Sequence, residues 1–106
     1  MRVLFDQGTP APLRHSLAGH VVETAFECGW SSLKNGELIE VAEQAGFAVF
    51  VTTDKNLEYQ QNLTGRKLAI VVLSTTSWPR IQESLAQIVA VVDAARACSY
   101  SEVEIG

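Results

Sequence analysis

The sequence predicts an α/β fold, a three-layer α/β/α sandwich whose central sheet is mainly parallel. Short runs of consecutive apolar residues are typical of buried parallel strands, and segments of helical periodicity alternate with them along the chain. At 106 residues, with 47% hydrophobic and 19% charged residues, the chain fits a single domain with one core over residues 1–106. We expect right-handed crossovers between the strands.

The chain begins with a strand-like run over residues 2–6, which a glycine and a proline soon end. We predict a short helix after this turn, with Thr9 as its N-cap. Pro10 would occupy the first helical position. The backbone N–H at that position has no partner within a helix, so proline, which lacks it, is tolerated there. Leu13 and Leu17 would then form the apolar face of this helix.

The second predicted strand covers residues 20–25, where β-branched residues are frequent. Helical periodicity begins at Asn35, which we predict to be the N-cap, and stops at Gly46. A further strand is predicted over residues 47–53.

The second half of the chain continues this alternation. We predict a short helix or turn over residues 57–62 and an almost entirely apolar strand over residues 67–73. Pro79 would open one long helix with apolar residues at helical spacing. The tail, residues 100–105, alternates polar and apolar side chains, which indicates an edge strand or an arm that pairs with another subunit.

Composition narrows the classes of function. The net charge of −4 argues against binding of nucleic acid through a broad basic face, so any RNA contact would be local or assisted by a metal or a partner. Cys28 and Cys98 are far apart and the first residues enter a strand at once, so we expect reduced thiols and a cytoplasmic location. No apolar run reaches the ~18 residues of a membrane span, and we expect no membrane contact.

Two of the apolar runs end on an aspartate, and this repetition carries the functional prediction. Asp6 follows the first run and Asp54 follows the run over residues 49–53. In an open parallel sheet, ligands and catalytic groups gather outside the carboxyl ends of the strands. Two acids converging there would suit Mg²⁺ or Mn²⁺. The alternative is that each aspartate merely caps the turn or helix that follows it.

Other polar residues flank the two aspartates in the sequence. Glu37 falls in the first turn of the middle helix, where it either acts at the site or simply complements the helix dipole. The amides of Asn35 and Asn56 could hold a water or a phosphate. The amide-rich stretch that includes Gln60, with Lys55 just before it, either contacts bases and ribose of RNA or is a solvated surface helix.

Three segments resemble the PIN-like proteins of bacteria, small α/β domains related to the PIN-domain toxins of toxin-antitoxin pairs. They are VLFDQG at 3–8, NGELIEVA at 35–42 and VFVTTDKNL at 49–57. The strand followed by Thr-Thr-Asp-Lys-Asn-Leu is the most distinctive, since it is similar to the family's strand ending in Thr-x-Asp-x-Asp-Phe. The likeness covers roughly residues 1–75.

The resemblance implies an Mg²⁺- or Mn²⁺-dependent endoribonuclease, the toxin component of a pair with an antitoxin protein, and a homodimer. Asp6 and Asp54 match family acids and would be catalytic metal ligands, with Glu37 as third ligand or base. Asn35, Lys55, Asn56 and Gln60 would contact the substrate.

The chain departs from the family pattern at the acids themselves. Gln7-Gly8 stands where relatives have Glu-Asn, Asn35 stands where an acid opens the middle helix, and Asn56 replaces a second acid after Asp54. Fewer charges would weaken metal affinity. A second hypothesis is therefore a catalytically degenerate PIN-like domain that serves as a binding or assembly module, through apolar surface near Trp30, Trp78 or the tail.

A third hypothesis, phosphoryl chemistry of receiver type, also places an acid at a strand end. It requires paired acids after the first strand and a lysine after the last one, and this chain has Gln7 beside Asp6.

Overall fold

A computed structural model describes residues 1–55 and 67–105. The predicted helix or turn at 57–62, and with it Asn56 and Gln60, lies outside the described residues. The strands are β1 (Arg2–Phe5), β2 (Val21–Thr24), β3 (Val49–Thr52), β4 (Ala69–Leu73) and β5 (Tyr100–Val103). The helices are a 3₁₀ helix (Ala11–Ser16), α1 (Asn35–Gln44), α2 (Trp78–Gln82) and α3 (Leu85–Asp93).

The strands form one five-stranded sheet in the order β2-β1-β3-β4-β5, and every pairing is parallel. The α/β fold and the parallel sheet that the sequence predicts are therefore confirmed. The chain runs from β1 outward to β2 and then returns past β1 to β3. The strand order consequently reverses between β1 and β3, which makes this gap the topological switch point of the sheet.

Helices cover both faces of the sheet, which is compatible with a three-layer α/β/α sandwich. Side chains alternate along each strand, so Val3 and Phe5 enter one core cluster and Leu4 enters the other. The α3 face carries Val3 and Phe5 and packs against the 3₁₀ helix, α2 and α3. The α1 face carries Leu4 and packs against α1.

The crossovers do not all have the same hand. The connections from β2 to β3 and from β4 to β5 run in the same direction across the sheet, yet α1 lies on one face and α2 and α3 on the other. These two crossovers therefore have opposite hands, and the prediction of uniformly right-handed crossovers is wrong. The six-residue 3₁₀ helix is too short to cover the α3 face, and Ile81, Ile88 and Val92 complete that cover, each fully buried.

Two predicted helix starts shift by one residue each. The first helix is a 3₁₀ helix whose N-cap is Pro10, so Thr9 is not its cap. The N-cap of α1 is Lys34, and Asn35 is the first helical residue. Both predicted caps use their side chains elsewhere, at aspartates of the strand ends. The predicted end of α1 is confirmed, since Gly46 follows it with a φ of +88°.

The helix predicted from Pro79 is two helices. Ser84, with φ −121° and ψ 20°, separates α2 from α3. The last turn of α2 has i→i+3 hydrogen bonds: the N–H of Ser84 donates to the carbonyl of Ile81 at 2.9 Å. The predicted tail strand is confirmed as β5, which pairs with β4 of the same chain at the sheet edge. In the described part of the molecule, no helix is long and apolar enough to cross a bilayer.

Candidate functional site at the carboxyl ends of β1 and β3

Asp6 directly follows β1, and only 6% of its surface is exposed. Its carboxylate accepts three hydrogen bonds. Oδ1 accepts from the backbone N–H of Thr9 at 3.0 Å and from the Thr9 hydroxyl at 2.7 Å, and Oδ2 accepts from the Thr52 hydroxyl at 2.5 Å. These bonds compensate the burial of the carboxylate and fix its orientation. A carboxylate has about four lone-pair positions, so Asp6 keeps little acceptor capacity for a ligand.

Asp54 lies at the end of the neighbouring strand and is half-buried. Its Oδ2 accepts a 3.1 Å hydrogen bond from Nδ2 of Asn35, and its backbone N–H donates to the Thr52 hydroxyl at 3.0 Å. The first residue of α1 thus contacts the acid that lies two residues after β3. Together these contacts fix Asp54 from two sides.

The structure brings Asp6, Asp54 and Asn35 to one edge of the sheet, as their positions in the sequence predict. Because β1 and β3 are adjacent parallel strands, the two acids flank the topological switch point, where open α/β sheets bind ligands. Thr52 connects them, since its hydroxyl donates to one aspartate and accepts from the backbone of the other.

Glu37 takes the structural role that the sequence left open. It is exposed, and its Oε1 accepts a 3.2 Å hydrogen bond from the backbone N–H of Lys34, so it caps the start of α1. Within residues 1–55 and 67–105, no group of three or more His, Cys, Asp or Glu side chains could hold a metal ion. The hard oxygen donors at the carboxyl edge are the carboxylates of Asp6 and Asp54.

Lys55 is exposed and lines a different cavity, of about 210 Å³, at the ends of β4 and β5. Ser74, Glu102 and Glu104 also line it. Lys55, which follows Asp54 in the sequence, thus shares this cavity with two carboxylates. Asn56 and Gln60, the other predicted substrate contacts, lie beyond the described residues.

The loop after β1 forms the floor of a larger cavity, of about 390 Å³, that reaches from Asp6 to Phe26. Gly8 lets this loop lie against β3, because a Cβ at this position would stand 2.5 Å from the Thr53 hydroxyl. Gln7 Nε2 donates to the carbonyl of Ser31 and so ties the loop to the segment between β2 and α1.

Cys28 and Cys98 are free in this structure. The Cys28 thiol donates to Glu23 at 3.4 Å, and burial, assisted by that carboxylate, raises its pKa. A thiol with a raised pKa is a poor nucleophile at neutral pH. His20 contacts a carboxylate at the end of α3, with its Nε2 2.6 Å from Oδ1 of Asp93.

Sequence reasoning missed Thr52 and Phe26. In the sequence Thr52 looks like one more β-branched strand residue, and the available signal was its position two residues before Asp54 at a strand end. Phe26 is 78% exposed, and the hydrophobic pattern of the sequence does not show that this apolar residue lies on the surface.

Comparison of the chain with protein-family models, with curated proteins and with solved structures gives no match. The chemistry of the residues at the carboxyl edge therefore has to indicate the function.

Proposed function

We propose that this chain is a PIN-like endoribonuclease that depends on one Mg²⁺ or Mn²⁺ ion held at the carboxyl ends of β1 and β3. The observation that carries the proposal is the pairing of Asp6 and Asp54 across the switch point, both fixed through Thr52. Hydrogen bonds from neighbouring groups orient metal-binding carboxylates in the same way.

The donor set fits a hard divalent cation. Asp6, in the acceptor position that its three donors leave, and Asp54 would supply carboxylate oxygens, while water would complete the coordination, as Mg²⁺ prefers. When bound, such an ion lowers the pKa of a coordinated water and polarises a phosphoryl oxygen. The chain itself contributes orientation: Thr9 and Thr52 hold the first carboxylate, and Asn35 holds the second.

Two carboxylates carry less charge than a site with three or four, so we expect metal affinity to be modest. Glu37 is engaged at the helix start, and it contributes to the ion only if it leaves Lys34. The toxin role, an antitoxin partner and a homodimer belong to the same proposal, because they follow from the PIN-like resemblance.

One observation favours the second candidate, a degenerate PIN-like domain that acts as a binding module. Three donors already occupy the carboxylate of Asp6, as they would if this residue only capped the turn after β1. In that case no ion binds, and the carboxyl edge serves the fold alone.

Asp54→Asn separates the two candidates better than a change at Asp6. Asp54 is half-buried and accepts from Asn35 a hydrogen bond that Asn can reproduce in part, whereas Asp6 is buried with three donors. Loss of function at Asp6 would be confused with loss of folding. Glu40→Gln, an exposed acid on α1, is the matched control.

The experiment is a titration of Mn²⁺ into wild type, Asp54→Asn and Glu40→Gln, followed by calorimetry, with cleavage of a labelled mixed-sequence RNA measured in parallel. The nuclease proposal expects binding and cleavage in wild type and Glu40→Gln and neither in Asp54→Asn. A folded wild type that binds no Mn²⁺ at millimolar concentration overturns it in favour of the binding module. The same purified protein gives the oligomeric state by sedimentation.

A further inference from the structure

Phe26 is the most exposed of the large apolar side chains in the described part of the chain. Its ring is 78% accessible, compared with 60% for Val21 and 45% for Met1. A single exposed apolar residue needs no explanation by itself. What distinguishes Phe26 is the rigidity of its backbone and the cavities that it lines.

The backbone around Phe26 is tightly hydrogen-bonded. The N–H of Gly29 donates to the carbonyl of Phe26 at 3.1 Å, and the N–H of Trp30 donates to the carbonyl of Ala25 at 2.8 Å. Glu27 and Thr24 exchange two side chain to backbone hydrogen bonds, of 2.9 and 3.1 Å. The backbone at Phe26 is therefore held at a fixed place, so binding at the ring requires no ordering of the turn itself.

Phe26 lines two adjoining cavities. The cavity of about 390 Å³ extends to Asp6 and Gly8, and a second one, of about 520 Å³, extends to Arg14 and His15. Both volumes lie in the range typical of small-ligand sites. The ring thus forms a wall of the same cavity that contains the proposed metal ligand Asp6.

We infer that Phe26 stacks an unpaired base of single-stranded RNA whose backbone lies at Asp6 and Asp54. The inference rests on the proposed function for its substrate class. Aromatic side chains recognise single-stranded RNA by stacking on splayed bases, and such contacts tolerate any sequence because every base has a π-face. A base in a duplex is already stacked on both sides and is unavailable to the ring.

Charge favours stacking over phosphate contacts at this place. Arg14 borders the second cavity, but its guanidinium is engaged by Glu27, with Nη1 3.1 Å from Oε2. The chain carries a net charge of −4, so a broad electrostatic attraction to RNA is absent. A stack supplies affinity that does not depend on counterion release.

The test measures binding of a short fluorescein-labelled single-stranded RNA by anisotropy in EDTA, where metal-dependent cleavage cannot occur. The variants are Phe26→Ala, Phe26→Trp, and Val21→Ala as a control that removes exposed apolar surface outside both cavities. We expect Phe26→Ala to raise Kd about 5- to 150-fold, the range that loss of one base stack produces. Phe26→Trp should bind at least as well as wild type, and Val21→Ala should match it.

Two further arms sharpen the result. The ratio of Kd between Phe26→Ala and wild type should stay constant between about 50 and about 200 mM salt, because stacking releases no counterions. The same RNA annealed to its complement should bind wild type and Phe26→Ala equally.

Equal Kd values for wild type and Phe26→Ala overturn the inference, as does a wild type that binds no RNA. A change of oligomeric state in Phe26→Ala without a change in RNA affinity also overturns it and assigns the ring to a protein interface. If Mn²⁺-dependent cleavage is absent but the Phe26→Ala effect is present, the nuclease proposal fails and the RNA-binding inference stands. If cleavage is present and Phe26→Ala changes neither Kd nor KM, the RNA-binding inference fails and the nuclease proposal stands.

Discussion

The hydroxyl group of Thr52 donates a 2.5 Å hydrogen bond to Oδ2 of Asp6. The oxygen atom of the Thr52 hydroxyl also accepts a hydrogen bond from the backbone N–H of Asp54 at 3.0 Å. Thr52 is fully buried at the end of β3, so no water replaces it readily. One hydroxyl consequently sets both the side chain of the first acid and the backbone of the second.

Replacing Thr52 by Val keeps the shape of the side chain and removes this hydroxyl. We expect the free energy of unfolding to fall by about 1–3 kcal/mol, because a buried carboxylate and a backbone N–H each lose a partner. Mn²⁺ affinity should fall about tenfold or more, the typical cost of losing a group that orients a metal ligand. Urea denaturation and calorimetry measure the two effects.

Thr53→Val is the matched control for this change. It removes the next hydroxyl along the chain, which is partly exposed and makes no hydrogen bond within the described residues. Its stability and Mn²⁺ affinity should stay close to those of wild type. Equal losses in the two variants would mean that the Thr52 bridge has no special role.

Much of the fold could be predicted from the sequence because the central strands are buried on both faces. β1, β3 and β4 each contain a continuous apolar run, and such runs are typical of buried parallel strands. The strand order and the hand of the last crossover could not be predicted. They depend on how segments that are distant in the sequence pack over the two faces of the sheet.

The candidate site could likewise be predicted only in part. Asp6 and Asp54 are marked by the ends of apolar runs, and Asn35 by the start of a helix. Thr52 carries no such mark, because a threonine inside a strand pattern looks the same whether its hydroxyl is satisfied locally or bridges two acids. The surface position of Phe26 likewise depends on the turn that follows β2 and not on local periodicity.

Substitutions of Glu37 test whether this residue only caps the start of α1 or also binds the metal ion. Glu37→Ala removes the acceptor of the Lys34 N–H and should lower the free energy of unfolding by about 0.5–2 kcal/mol, as loss of a helix cap does. Glu37→Gln retains an acceptor and should cost less. Because Glu37 points to the helix start, neither variant should change Mn²⁺ affinity in a calorimetric titration.

The control for this pair is Glu40→Ala, which removes an exposed carboxylate from the same helix. A drop in Mn²⁺ affinity of tenfold or more in Glu37→Gln, with Glu40→Ala unchanged, would show that Glu37 leaves Lys34 when the ion binds. The third-ligand role expected from the resemblance would then be restored.

Gly46 is required by the chain reversal between α1 and β3. Its φ of +88° lies in the left-handed region, which a Cβ disfavours, although a Cβ there would meet only Nη1 of Arg2 at an ordinary 3.5 Å. Gly46→Ala should therefore lower the free energy of unfolding by about 1–2 kcal/mol through backbone strain. In Gly19→Ala, where φ is outside that region and nothing lies within 4 Å, urea denaturation should show no loss.

Glu27 makes the turn that carries Phe26 sensitive to acid. Its Oε2 accepts a 3.1 Å hydrogen bond from Arg14, and its Oε1 accepts a 2.9 Å bond from the N–H of Thr24. The Arg14 hydrogen bond, followed by the Thr24 bond, lowers the pKa of Glu27 from its ordinary value of 4.5 to about 2. The folded state therefore favours the ionised carboxylate.

The pH dependence follows from this depressed pKa. Above about pH 4.5 the carboxylate is ionised in both folded and unfolded chains, and its stabilising contribution is complete. As the pH falls from 4.5 through 2, the unfolded chain takes up the proton first and the contribution is lost. The Tm of wild type should thus exceed that of Glu27→Gln near neutral pH, by a small margin because the pair is exposed to solvent, and the two should converge near pH 2.

Thermal melts at low salt across this pH range provide the measurement, with Glu40→Gln, which removes another exposed carboxylate, as the control. Added salt should shrink the margin near neutral pH by screening the pair with Arg14. A margin between wild type and Glu27→Gln that stays constant down to pH 2 would contradict the assignment. In that case the Thr24 and Arg14 contacts would not distinguish the ionised carboxylate from the neutral amide.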